Sequence, residues 1–228
     1  MWHNLLPAET IVTEATRSMW STPATPAESR CIERAVPARR REFQAGRAAA
    51  RAALRRLGIE GFDLLPGSGR EPTWPTGIVG SITHDASECA AAVARSDKIL
   101  ALGIDVERFE PLSADLLPLV CSEAERRRWR AHAPYGADVW GKAVFSAKES
   151  FYKAYFPAMR AVLEFHDVDI ELRPEHGLFV ARLVSEALPA FFGRRQATGR
   201  FALRDGRIWT AVALVRRGDL FPSGHTGG

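Results

Sequence analysis

Phe145-Ser146-Ala147-Lys148-Glu149-Ser150-Phe151-Tyr152-Lys153 is the stretch on which the fold turns. It lies inside a helical pattern running from about Asp138 to Phe156, with blocks of short apolar strands before and after it. That alternation reads as an α+β protein. Phe145, Tyr152 and Phe156 form the apolar stripe of this helix, and Glu149 falls inside the stripe at i+4. A carboxylate aimed inward needs a partner, because an unpaired buried charge is too costly. Lys148 adjoins it and Lys153 follows at i+4, and the whole chain has only four lysines against 27 arginines. An i, i+4 Glu–Lys pair is ordinarily a weak surface contact; here the stripe argues that Glu149 faces in.

Working upstream, Ser122 and Glu125 have the spacing of a capping box that opens a short charged helix through Arg130. Before it come three apolar strands. Gly77–Thr83 runs into His84 and Asp85, Cys89–Ala94 follows, and Ile99–Val106 delivers Asp105 and Glu107 two residues apart on one face. Two solvated acids at a strand end are commonplace, so D-x-E alone says little. If the strand end meets the helix, however, Asp105, Glu107 and Glu149 converge, and a divalent cation with oxygen ligands is the economical way to relieve their repulsion. Mg²⁺ suits such a set, and Mn²⁺ is a possible substitute. Mutual repulsion further predicts that removing Asp105 leaves stability largely intact.

A second helix is predicted from Pro37 to Leu57, with Pro37 in the first turn and Gly58 as the stop. Its stripe is Phe43, Ala50, Leu54 and Leu57, and Arg47 sits inside it at the spacing that places Glu149 inside the other. Arg39 and Arg40 flank the stripe upstream. A structural salt bridge or a snorkelled side chain explains one inward arginine as well as a bound anion does. Residues 66–76, PGSGREPTWPT, form a shaped loop carrying Arg70. Ser81, Thr83 and His84 cluster hydroxyls and an imidazole suited to a phosphate.

Downstream, Val168–Leu172, Leu178–Leu183, Gly199–Arg204 and Arg207–Leu214 read as strands, and Asp205-Gly206 is a hairpin turn. Residues 1–29, rich in Pro and Thr, read as a loosely structured lead-in. A division falls near residue 109, giving an amino-terminal α+β unit over 1–108 and a carboxy-terminal one over 109–228. No apolar run approaches the ~20 residues that span a bilayer, the first residues do not read as a secretory signal, and three cysteines without a C-x-x-C give no disulfide framework. A cytoplasmic protein without a membrane partner is expected. Of the net charge of +4, residues 30–60 carry +6 while residues 61–110 carry −4, so the basic character belongs largely to the helix with the inward arginine.

Gly80-Ser81-Ile82-Thr83-His84, Gly103-Ile104-Asp105-Val106-Glu107 and Phe145–Lys153 together resemble the three recurrent patterns of the 4′-phosphopantetheinyl transferases. The helix with Arg39, Arg40 and Arg47 and the loop G-R-E-P-T-W-P resemble the enterobactin- and mycobacterial-type subgroup, and the resemblance spans Arg39 to Leu214. It implies two similar α/β subdomains arranged as a pseudo-dimer, with the active site between them in a single monomeric chain. It implies transfer of the phosphopantetheine arm of coenzyme A to a serine of an apo acyl or peptidyl carrier protein, releasing adenosine 3′,5′-bisphosphate. Carriers of fatty-acid, polyketide and nonribosomal peptide synthesis all qualify. By the same resemblance Asp105, Glu107 and Glu149 hold Mg²⁺, Glu149 also accepts the serine proton, and Lys153 neutralises the pyrophosphate. Arg39 or Arg40, Arg47, Arg70, Ser81, Thr83, His84 and Lys148 are the candidate coenzyme A contacts. The charged helix at Ser122–Arg130, with Arg126, Arg127, Arg128 and Arg130, is the candidate dock for an acidic carrier.

Two other classes fit parts of the sequence. A nucleic-acid-binding module accounts for the arginines, but it calls for exposed basic and aromatic residues on one surface, whereas Arg47 points into an apolar stripe. Another Mg²⁺-dependent nucleotide phosphotransferase uses the same acids. No P-loop is present.

Overall fold

Cys89–Ala94 shows no alternation of apolar and polar residues because it is buried on both faces. In the computed structural model, which describes residues 1–85, 87–130 and 137–216, this run is the central strand of a three-stranded antiparallel sheet. The strands are β1 (Ile11–Glu14), β2 (Ile78–His84) and β3 (Cys89–Arg95), in the order β1-β3-β2. Helix α1 (Pro26–Arg30) leads into α2 (Pro37–Arg55), which covers one face of this sheet. Ala91 and Val93 pack there with Ala49, Ala50, Ala53 and Leu54. The alternate residues Ala90, Ala92 and Ala94 face a second cluster with Trp2, Ile104 and Trp209. Alanines on both faces let helix and strands approach closely.

The second sheet has five antiparallel strands in the order β4-β8-β7-β6-β5. They are β4 (Ile99–Arg108), β5 (Val168–Arg173), β6 (Leu178–Leu183), β7 (Gln196–Arg204) and β8 (Arg207–Val215). Asp205 and Gly206, both at positive φ, make the tight turn between the last two. Between β4 and β5 lie α3 (Leu117–Val120), α4 (Glu123–Arg130) and α5 (Ala137–Met159). The capping box at α4 forms as expected, with Glu125 N donating to Ser122 Oγ at 3.2 Å and Ser122 N to Glu125 Oε2 at 2.7 Å. Each half therefore stacks one long helix on one antiparallel sheet, an α+β arrangement as expected.

The two sheets meet at β2 and β4 without a backbone ladder. Ser81 Oγ accepts from Ile104 N at 3.1 Å and Thr83 Oγ1 from Val106 N at 3.0 Å. Hydroxyls on β2 thus satisfy buried edge N–H groups of β4 that a strand partner would otherwise take. On its other edge β4 pairs with β8 from Ile99 to Arg108. So β4, although amino-terminal to the division expected near residue 109, hydrogen-bonds with the carboxy-terminal strands.

Two expectations are corrected. The lead-in is ordered: β1 pairs with β3 over Ile11–Glu14, and Trp2, 2% exposed, sets its ring edge-on to Trp209 at 5.1 Å. A four-residue strand and a single anchoring tryptophan leave no periodicity to read. The core stripe of α5 is also not the expected one. Trp140, Ala143, Val144, Ala147, Phe151, Ala154 and Tyr155 enter the main core. The stripe of Phe145, Glu149, Tyr152 and Phe156 instead lines a cleft.

Candidate active site

Helix α5 crosses β4 at Gly103, where a Cβ would lie 1.9 Å from the backbone oxygen of Ser150. Only glycine lets the helix backbone come this close. The approach carries the helix acid and lysine to the strand acids. Lys153 Nζ donates to Asp105 Oδ1 at 2.6 Å, Thr83 Oγ1 donates to the same oxygen at 3.3 Å, and Ser146 Oγ donates to Oδ2 at 2.8 Å. Glu107 Oε2 lies 3.0 Å from Lys142 Nζ. Asp105, Glu107, Glu149 and Lys153 line one cleft of about 400 Å³. Burial raises the Glu107 carboxyl, and Asp105 beside it raises it further against the pull of Lys142. Burial also raises Glu149, with Lys153 opposing and Asp105 and Glu107 reinforcing. Burial works to lower Lys153, but Asp105 and Glu149 outweigh it and hold the ammonium above its ordinary value.

The opposite wall is cationic and comes from α2 and the loop before β2. Arg47 is 6% exposed; its Nε donates to the Leu64 carbonyl at 2.8 Å, and its guanidinium lies 4.2 Å from the centre of the Phe43 ring. Burial lowers its pKa to about 10, so it stays charged at neutral pH. Arg39 Nη1 lies 2.7 Å from His84 Nε2 and 3.3 Å from Glu42 Oε2. A guanidinium only donates, so His84 is neutral, with its proton on Nδ1 and its Nε2 lone pair turned to Arg39; burial lowers its pKa in the same sense. Arg70, exposed and at φ 68°, lines the cleft, and its guanidinium has no protein partner among the described residues.

Four of the expected contacts have other work. Arg40 is turned away: its Nε donates to the Ala35 carbonyl at 2.8 Å and its Nη2 to that of Glu33, so it braces the turn before α2. The three donors of Lys148, 3% exposed, go to the Val120 carbonyl at 2.8 Å, the Phe165 carbonyl at 2.7 Å and Glu125 Oε2 at 3.0 Å. It is a structural pin rather than a phosphate contact. Thr83 spends its hydroxyl proton on Asp105, and both Thr83 and Ser81 tie β2 to β4, so their first duty is the joint between the sheets. Asp105 is more than a repelled acid, since it accepts three hydrogen bonds, so its loss is expected to cost stability rather than leave it largely intact. On α4, Arg127 pairs with Glu123 at 2.9 Å and Arg128 with Asp169 at 2.5 Å, while the Arg130 side chain lies outside the described residues.

Sequence reasoning missed Glu42, Lys142 and Ser146. Lys142 and Ser146 lie seven and three residues before Glu149 on the same helix, a face-sharing signal that spacing alone could have exposed. Glu42, five residues after the Pro37 that opens the helix and directly after Arg39-Arg40-Arg41, resembles any solvated helix acid.

The chemistry of the donor set fits a hard divalent cation: three carboxylates, all oxygen, line one cleft. Among the described residues no three acids or histidines are yet gathered closely enough to close on an ion. Lys153 and Lys142 instead hold Asp105 and Glu107, so a cation would compete with these ammonium groups.

Residues 27–94 match the family model of the 4′-phosphopantetheinyl transferase N-terminal domain, and residues 101–210 that of the 4′-phosphopantetheinyl transferase superfamily. The chain is 41% identical over 193 residues to the 4′-phosphopantetheinyl transferase Svp of Streptomyces mobaraensis, covering 83% of this chain and 78% of that protein. It is 34% identical to PptT of Mycobacterium tuberculosis over 92% of this chain and 96% of that one. To enterobactin synthase component D of Salmonella typhimurium it is 31% identical, over 78% and 74% respectively. The two matched segments meet at the cleft, one bringing its arginines and the other its acids and lysine, and the chain belongs to the 4′-phosphopantetheinyl transferase superfamily.

Proposed function

We propose that this chain transfers the 4′-phosphopantetheine arm of coenzyme A to a serine of an apo carrier protein. The observation that carries this reading is the opposition, across one cleft, of Arg39, Arg47 and Arg70 to Asp105, Glu107, Glu149 and Lys153. A small polyanion with several phosphates matches such a cleft better than a continuous nucleic-acid backbone, because Arg47 is sunk into it and acids face the arginines.

The serine Oγ attacks the phosphorus that bears the pantetheine arm. A P–O bond forms there, the P–O bond to the bridging oxygen breaks, and its electron pair leaves on adenosine 3′,5′-bisphosphate. The serine proton passes to Glu149, the carboxylate that α5 places in the cleft beside Lys153. Lys153, held charged, faces the negative charge that develops on the leaving oxygen. Mg²⁺ held by Asp105, Glu107 and Glu149 would neutralise the pyrophosphate, and Mn²⁺ offers the same oxygen-seeking chemistry. Arg47, Arg39 oriented by His84, and Arg70 take the phosphates of the adenosine end.

The units over 1–108 and 109–228 supply the two walls, apart from Asp105 and Glu107 on β4. As a dock for the carrier, α4 retains Arg126, Arg127 and Arg128, the last two shared with acids that an acidic carrier helix would displace. A cytoplasmic monomer suits this reading; among the described residues no helix is long and apolar enough to cross a membrane. Incubation with Mg²⁺, a fluorescent coenzyme A analogue and apo carriers of the fatty-acid, polyketide and peptide-synthetase types tests it. Label on at least one carrier supports the transfer, and failure with all of them overturns it.

A further inference from the structure

The loop that carries Arg70 is fastened to the other half of the molecule by a residue with no place in the chemistry above. Glu71 Oε2 accepts from Gly69 N at 2.9 Å, and the Glu71 backbone oxygen accepts from Gly67 N at 2.7 Å. Arg70 N closes the same turn on the Gly67 carbonyl at 3.0 Å. The other carboxylate oxygen, Oε1, pairs with Nη1 of Arg160, just past the end of α5. The Glu71 side chain is 8% exposed and that of Arg160 is 61% exposed. Gly69 lies against Phe156, where a Cβ would come within 2.3 Å of the ring.

Two arginines on either side of this contact adopt the left-handed conformation, Arg70 at φ 68° and Arg160 at φ 54°. That conformation is unfavourable for a residue with a Cβ, so something local must hold each of them. For Arg70 the hydrogen bonds of its own turn do so, and two of the three end on Glu71. For Arg160 the hold is its N–H to the Phe156 carbonyl at 2.9 Å and the ion pair.

We propose that Glu71 and Arg160 form a clasp between the loop at residues 66–72 and the end of α5, acting as positioning residues that keep Arg70 at the cleft for coenzyme A. The inference rests on the reading of Arg70 as a phosphate contact. Neither Glu71 nor Arg160 needs to touch the reacting atoms. The pair joins the loop to the end of α5 beside the cleft, so it ties the segment carrying Arg70 to the helix carrying Lys153. An ion pair this exposed at one end is weak in itself. Its effect therefore falls on the geometry of the loop more than on global stability.

Steady-state transfer with the full chain, Mg²⁺, coenzyme A and one apo carrier tests the clasp through Glu71→Gln, Arg160→Gln, Arg160→Lys, Arg70→Ala and Glu71→Gln/Arg70→Ala. Glu71→Gln keeps an oxygen for Gly69 N and loses the charge. The clasp predicts that Glu71→Gln and Arg160→Gln each raise KM for coenzyme A roughly 3- to 10-fold, with kcat and carrier KM within about twofold and Tm unchanged. Arg160→Lys restores most of the loss. In the Arg70→Ala background, Glu71→Gln adds nothing further. If Arg70→Ala raises KM for coenzyme A and Glu71→Gln does not, or if Glu71→Gln adds its full effect without Arg70, the clasp is overturned while the phosphate role of Arg70 stands. If Arg70→Ala itself leaves KM unchanged, the reading of Arg70 fails and the clasp with it.

Discussion

Lys153 Nζ sits 2.6 Å from Asp105 Oδ1, an ion pair that joins the carboxy-terminal half of α5 to the end of β4 in the middle of the cleft. The same carboxylate takes hydrogen bonds from Thr83 and Ser146. Asp105 is thereby both a chemical group and a joint between β2, β4 and α5. Asp105→Asn is expected to lower kcat by at least 100-fold and, since amide for carboxylate weakens a charge-assisted contact, to lower stability by about 1–3 kcal/mol. Transfer kinetics and chemical denaturation check the two effects separately. Full activity would remove Asp105 from the site.

Gly103 sets how closely the two sides of that ion pair approach. Gly103→Ala places a Cβ against the Ser150 carbonyl and must push α5 away from β4. The expected result is a folded but destabilised protein with little transfer activity, because the helix that moves carries Glu149 and Lys153. Circular dichroism with a single-turnover transfer assay tells this from simple unfolding.

Arg47 is the inward arginine expected from the stripe of α2, and its environment refines the expectation. Arg47→Ala should raise KM for coenzyme A while leaving that for 3′-dephospho-coenzyme A nearly unchanged. It also strands the buried Leu64 carbonyl, at a cost of about 1–3 kcal/mol. Comparable losses with both substrates would show that Arg47 serves another phosphate or only the loop.

Lys148 was legible as a residue of interest but not in its role. Its partners are two backbone carbonyls and Glu125, brought together from three segments, and carbonyl acceptors leave no trace in a sequence. The same holds for Arg40, whose acceptors are the carbonyls of Glu33 and Ala35. By contrast, Asp105, Glu149 and Arg47 sit on regular elements, where spacing gives the face directly. Their convergence on one cleft was readable; the ammonium groups standing between the acids were not. Nor was the ordered amino terminus, since Trp2 reaches its partner Trp209 only through the tertiary fold. Lys148→Met, which leaves Glu125 buried without its cation, should cost about 3–5 kcal/mol of stability. Denaturant titration checks it, and KM for coenzyme A in the folded fraction should stay near the parent value.

Acid lowers stability through Asp85, which links the β2–β3 turn to β8. Burial opposes its ionisation, but the backbone N–H groups of Ser87 and Glu88, both at 2.7 Å, and Arg207 at 3.1 Å prevail and hold the carboxyl below its ordinary value. A carboxyl depressed by folding contributes stability that is fully present above its unfolded pKa, about 3.9, and is lost as pH falls through the folded value. Asp85→Asn should therefore be less stable than the parent at neutral pH, with the gap closing as pH drops below about 4. Thermal melts of both proteins across that range provide the comparison.

The central claim is the joining of the phosphopantetheine arm to a carrier serine by this cleft. Intact-mass analysis of an apo carrier incubated with Mg²⁺, coenzyme A and the enzyme, alongside quantitation of adenosine 3′,5′-bisphosphate, tests it most directly. The account predicts a carrier heavier by one phosphopantetheine, one nucleotide released per carrier modified, and neither product with Asp105→Asn. An unmodified carrier in every carrier class, or nucleotide released without a modified serine, would contradict it.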